Sequence, residues 1–143
     1  MNLNEWKKYP ASREYYQEMS EDIQAAAQIA GLSKKLKSKL RLGMEEAIVN
    51  IINYAYKNGG DIFIRATTGG DEYFIIELVD FGVKFNPLEF DDPRSESKLP
   101  LEKTKPGGKG ILLIKKIFTK TSYVYEEFQD IPANHLILSL KKF

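Results

Sequence analysis

Four polar residues recur through the stretch "EEAIVNIINYAYKN": Glu46, Asn50, Asn53 and Lys57, at i, i+4, i+7 and i+11. On a helix that spacing sets them in one row. The row runs beside an apolar face made by Leu36, Leu40, Met44, Ala47, Ile48, Ile51, Ile52 and Ala55. An Asn side-chain oxygen is a neutral, hard ligand. Magnesium is held by few protein oxygens, with water and phosphate completing its octahedron. Asn50 has the chemistry for that. Glu46, one turn earlier, is a carboxylate able to take a proton from an attacking hydroxyl or water. The same row also describes the solvent edge of an ordinary amphipathic helix.

A second polar island is "LVDFGVKFNP". An apolar strand ends in Asp80, whose ionised carboxylate only accepts hydrogen bonds and suits an amino group such as adenine's. Gly82 lets backbone pass close to a flat ligand. A plain strand-ending Asp-x-Gly turn has the same residues. The third island is "KTKPGGKGILLIKKI". Glycines ahead of a helix free its first N–H groups to face an anion, and the helix dipole adds attraction. Lys105 and Lys109 could supply point charges toward phosphates. A glycine-rich hinge entering a helix is the plainer alternative. The Walker A spacing is missing, and "DFG" comes without the glycine-rich hairpin or H-R-D of a eukaryotic-type protein kinase. Together the islands present a cation ligand, an adenine acceptor and a phosphate-facing helix start, in that order.

The elements that must position these groups follow from the pattern. Residues 3–8 suggest a short edge strand. "PASREYYQEMSEDIQAAAQIAG" predicts a helix capped by Ser12, with Tyr16, Met19, Ile23, Ala26 or Ala27, and Ala30 as its stripe and Gly31 as its stop. Ser33 caps a second helix expected to run to about Lys57. "DIFIRAT" and "EYFIIELVD" form a hairpin through "TGGD". Residues 86–108, rich in proline and charge, predict a lid that is disordered when empty. "GKGILLIKKIFTK" is a helix, and "TSYVYEEF" and "HLILSLKKF" are closing strands, with His135 entering the last one. The expected fold is α+β: a two-layer sandwich, a mostly antiparallel mixed sheet with helices on one face.

Composition narrows the function classes. The chain has 143 residues, consistent with a single domain over 1–143, and is 43% apolar and 29% charged. A net charge of +1 gives no basic field for nucleic acid or anionic lipid. With no cysteine and one histidine, neither disulfides nor a thiolate or multi-histidine zinc site can form. No apolar run reaches a membrane span and the N-terminus lacks an apolar signal core. The expected setting is cytoplasmic, without direct nucleic-acid or membrane contact.

The three islands resemble the motifs of a known superfamily, the ATPase domains of gyrase, histidine kinases and MutL, called the Bergerat fold. "EEAIVNIINYAY" is similar to its N box, "DFGVKF" to its first glycine box and "GGKGILLIKKI" to its second. Within it the chain resembles the anti-sigma factor serine kinases from Trp6 to Leu140, including "YPASREY" and "GLSKK". The resemblance implies that Asn50 holds Mg²⁺, Glu46 acts as general base, and Asp80 with Gly82 receives adenine. It also implies that Gly108 and Gly110 wrap the ATP phosphates. Asn53 joins the nucleotide-facing row by spacing. Three positions depart from the family: Tyr54 where a His is frequent, Phe81 in place of Glu, and no clear match in "IPANHLILSL" for a supporting Thr.

By resemblance the activity is transfer of the ATP γ-phosphate to a serine of an anti-sigma factor antagonist. The protein would also control a sigma factor by binding, and would act as a homodimer. The alternative is a regulatory module that binds nucleotide without transferring phosphate. A nucleotide-free interaction domain would require all three islands to be coincidence.

Overall fold

Two serines and a glycine set the helical boundaries. The computed structural model describes residues 6–89 and 108–143. Ser12 Oγ accepts from the Glu14 N–H at 3.2 Å and opens a 3₁₀ turn, Arg13–Tyr15, that runs into helix α1, Tyr16–Ile29. At its end the Leu32 N–H reaches the Ala27 carbonyl and the Gly31 N–H that of Gln28, each at 3.1 Å, with Gly31 at φ +84°. That double closure is a Schellman cap, which glycine adopts without strain. Ser33 Oγ then accepts from the Leu36 N–H at 3.2 Å and starts helix α2, Lys34–Tyr54. Helix α2 stops short of Lys57. Ala55 caps it, and its carbonyl turns to the Val83 N–H at 2.9 Å.

Five strands follow from the alternating segments: β1 Lys7–Pro10, β2 Asp61–Gly69, β3 Tyr73–Asp80, β4 Lys120–Phe128 and β5 Ile131–Lys141. The order across the sheet is β1-β2-β3-β5-β4, and every neighbouring pair is antiparallel. The expected α+β sandwich is therefore present, without any parallel pair among the described residues. The edge strand predicted at 3–8 is β1, Lys7–Pro10, with residues 3–5 of that expectation outside the described residues. β5 begins before His135, so His135 lies inside the strand instead of at its entrance. The β4–β5 turn is Gln129–Asp130 with φ of +54° and +66°, a mirror-type hairpin turn without the usual Asn-Gly signature.

Between β3 and β4 a short 3₁₀ helix, Pro87–Glu89, is opened by Asn86, whose Oδ1 accepts from the Leu88 N–H at 2.9 Å. Helix α3, Gly108–Ile117, follows. Most of the expected lid, 90–107 with Lys105, lies outside the described residues.

Strand side chains alternate between two faces. Ile62, Ile76, Leu78, Leu138 and Leu140 point toward Met19, Ile23, Leu40, Met44, Ile48 and Ile114 of the helices and make the main core. Trp6, Val79, Phe128 and Ala133 form a second cluster, with Phe63 and Phe81 packed against it. Helices α2 and α3 approach closely at Gly43, where a Cβ would lie 2.6 Å from the Phe118 ring. This sandwich sets the C-terminal end of β3 beside the C-terminal half of α2.

Candidate functional site

Asp80 is the last residue of β3 and pairs in register with Asn134 of β5. Both share the helix-facing parity of Leu78 and Leu136, and both are buried. Asp80 Oδ1 accepts from the Gly82 N–H at 3.0 Å and from Asn134 Nδ2 at 2.9 Å. Asp80 Oδ2 has no hydrogen-bond partner among the described residues. Burial pushes the Asp80 carboxyl above its ordinary pKa, and the two donors pull it partly back.

Asn134 uses its whole hydrogen-bonding capacity. Nδ2 also donates to the Val83 carbonyl at 2.9 Å. Oδ1 accepts from the Phe85 N–H at 3.1 Å and from the Tyr123 hydroxyl at 2.5 Å. One side chain thus ties β3, β4, β5 and the loop after β3 together.

Across from this end of the sheet, Asn50 on α2 is 8% exposed and has no hydrogen-bond partner among the described residues. Asn50, Asp80 and Asn134 line one cleft that is partly open to solvent. Its other walls are mostly apolar: Ala47 and Ile51 of α2 with its cap Ala55, Ile114 of α3, Leu136 of β5, and Val83, Phe85 and Pro87 after β3, with Tyr123 of β4 as a further wall. An apolar slot with a few converging polar groups is the form of a small-molecule site. A flat ring with an amino edge could enter it, stack on aliphatic walls and donate to Asp80 Oδ2.

The loop is held by its own backbone. A Cβ at residue 82 would lie 2.2 Å from the Ala55 carbonyl oxygen. Gly82 is therefore needed for close approach to the end of α2, whereas the sequence suggested approach to a ligand. The Tyr56 hydroxyl accepts from the Phe81 N–H and donates to the Asp61 carbonyl, both at 2.7 Å. This second tie fixes the direction in which the chain leaves Asp80. Burial pushes the Tyr56 phenol up to about 12.

The structure thus brings Asn50 and Asp80 together. Glu46 stands one helical turn before Asn50, half-buried and outside the lining of the cleft. Burial, and after it the neighbouring Glu45, raises its carboxyl pKa. Asn53 is exposed and does not line the cleft, and Lys57 lies beyond the helix end, exposed. The row expected from i, i+4, i+7 spacing therefore reaches the cleft only at Asn50. Gly108, Lys109 and Gly110 form the first turn of α3, and Gly110 precedes the cleft-lining Ile114 by one turn.

Asn134 and Tyr123 were not picked out by the sequence reading. Asn134 had a usable signal, since it has the inward parity of Leu136, Leu138 and Leu140 and is the one polar residue in that set. It stands in the segment where no supporting Thr was recognised.

No protein among the curated proteins matches the chain. Residues 9–135 match the family model of the histidine kinase-like ATPase domain, which spans most of the chain, and the chain belongs to this family of ATP-binding domains.

Proposed function

We propose that the cleft binds Mg-ATP and that the chain is an ATP-dependent protein-serine kinase acting on a partner regulator. One observation carries this reading. Asn50 and Asp80 line the same cleft, and neither the Asn50 amide nor Asp80 Oδ2 has a hydrogen-bond partner among the described residues. A ligand offering an amino edge to Asp80 and a cation or phosphate side to Asn50 satisfies both. The residues present therefore fit the group that the family implies. Among the described residues no cluster of three or more His, Asp or Glu could hold a metal. A magnesium ion at Asn50 would take its remaining oxygens from phosphates and water, and would supply charge neutralisation at the transferring phosphoryl group.

The chain's own residues divide the remaining roles. Asp80, held by Asn134 and Gly82, orients the base. The first turn of α3, with Gly108, Lys109 and Gly110, and Lys105 before it, supplies donors and charge to the phosphates. Glu46, with its raised affinity for protons, takes the proton of the partner's serine hydroxyl. That oxygen then bonds to the γ-phosphorus as ADP leaves. By resemblance the partner is an anti-sigma factor antagonist. Binding a sigma factor, forming a homodimer and working in the cytoplasm belong to the same proposal.

The position of Glu46 outside the cleft lining favours a second reading, a nucleotide-binding regulatory module without transfer. The two separate on one experiment. A partner recovered by pull-down with ATP is incubated with wild type and Glu46→Gln and weighed by intact-mass spectrometry. A phosphate added by wild type alone supports the kinase. No phosphate with either, alongside intact fluorescent-ATP binding, selects the module. Equal nucleotide affinity in wild type and Asn50→Ala would remove the Asn50 assignment from both.

A further inference from the structure

The sheet face turned away from the helices carries a second polar cluster, which the cleft does not use. His135 on β5 is 3% exposed. Its Nδ1 lies 2.9 Å from Glu126 Oε1 on β4, and its Nε2 lies 2.9 Å from Glu77 Oε1 on β3. Arg65 on β2 stands directly opposite Glu77 and holds its other oxygen, with Nε at 2.8 Å and Nη2 at 2.6 Å. Trp6, immediately before β1, completes the cluster. Its ring is 5.6 Å from the imidazole and edge-on, and the Arg65 guanidinium lies 4.5 Å over the indole. Phe128 of β4 packs edge-on at 5.3 Å. Four strands and the lead-in to β1 therefore meet around one imidazole.

The charge logic is specific. A neutral imidazole has one N–H and one lone pair. Here both ring nitrogens face a carboxylate oxygen, and only the imidazolium can donate to both. With the proton on, Arg65, Glu77, His135 and Glu126 sum to zero. Without it the group is a net anion, and a ring lone pair opposes a carboxylate, either that of Glu77, 10% exposed, or that of Glu126, 36% exposed. Burial works against the charged ring, but the bonds to Glu77 and Glu126 win and raise the His135 pKa. Among the described residues the charges acting on the imidazole are Glu77 and Glu126, while Lys8 of β1 shares this face opposite Phe63 and the β5 neighbours Ala133 and Ile137 are apolar.

We propose that His135 is a proton-operated latch fastening the Trp6 lead-in of β1 and the edge strand β4 to the middle of the sheet. It is closed while the ring carries its proton and loosened when the proton leaves. The sign follows from the raised pKa. The latch is fully closed below the ordinary imidazole value of 6.5 and opens as pH rises through the higher folded-state value.

The chain has one histidine and one tryptophan, so each reports on a single place. The full-length protein is titrated between about pH 5 and 9, following the imidazole C–H resonances by proton NMR and Trp6 emission by fluorescence. Both signals should move together, with a midpoint above 6.5. Glu126→Gln keeps an acceptor but removes a charge, and should lower both midpoints by about one unit. His135→Gln should abolish the Trp6 transition, and amide protection factors in β1 and β4 should fall above the wild-type midpoint. Trp6 emission that stays flat while His135 titrates would overturn the latch. So would a midpoint unmoved in Glu126→Gln, or unchanged β1 and β4 protection factors. Glu126→Gln and the wild-type protein suffice if His135→Gln fails to fold.

Discussion

Replacing Asn134 with alanine removes four hydrogen bonds at once and leaves their partners in place. Asp80 Oδ1 keeps only the Gly82 N–H, while the Val83 carbonyl, the Phe85 N–H and the Tyr123 hydroxyl each lose a bond. A typical bond contributes about 0.5–1.5 kcal/mol net, and a charged acceptor such as Asp80 raises the figure for its own bond. Water entering from the adjoining cleft repairs part of the loss. The expected destabilisation is about 2–4 kcal/mol. The measurement is a urea melt followed by circular dichroism, in which the midpoint should fall at nearly constant slope. Asn134→Asp should be at least as damaging. It keeps the shape but sets a second carboxylate beside Asp80 and loses both Nδ2 donors. Double replacement by Asp80→Asn with Asn134→Asp restores the charge balance and a donor between the two positions, and should recover part of the stability of Asn134→Asp. A loss under about 0.5 kcal/mol in Asn134→Ala would refute the view that this side chain organises the end of the sheet.

Other outcomes follow from the same geometry. Asn50→Ala should abolish Mg-ATP binding in a fluorescent-nucleotide titration while leaving the urea midpoint nearly unchanged, because the amide makes no hydrogen bond among the described residues. Gly82→Ala places a methyl 2.2 Å from the Ala55 carbonyl oxygen, so it should cost about 1–3 kcal/mol in the same melt and weaken nucleotide binding. Ile48→Ala, in the fully buried middle of α2, should cost about 2–5 kcal/mol without changing nucleotide specificity. The outer cluster should shape the pH profile. Burial opposes the charge on Glu77, yet the bonds from His135 and Arg65 hold its pKa below the ordinary 4.5, so its contribution is present above 4.5 and lost as pH falls through the lower folded value. His135 contributes below 6.5 and its share is lost as pH rises through the raised value. The difference in stability between wild type and His135→Gln should therefore be largest between about pH 4.5 and 6.5.

Features that depend on neighbours along the chain were legible in the residues alone. Ser12, Gly31 and Ser33 set helix boundaries because caps are satisfied within a few residues. The period of the apolar residues separated helices from strands, and parity along each strand assigned side chains to one face or the other. The motif around Asn50 and Asp80 was legible because its residue types and order are local. Tertiary structure alone decided which residues face each other across the sheet. A two-residue alternation says that Asn134 points inward and His135 outward, but not that their partners are Asp80 on one face and Glu77 with Glu126 on the other. Those pairings come from strand register, which is fixed by contacts 54 and 58 residues apart for the β3 partners. The end of α2 was misjudged for the same reason: Lys57 continues the helical spacing, but the Ala55 carbonyl is taken by Val83 from a distant loop. Backbone hydrogen bonds made across the fold outweigh local periodicity wherever the two compete.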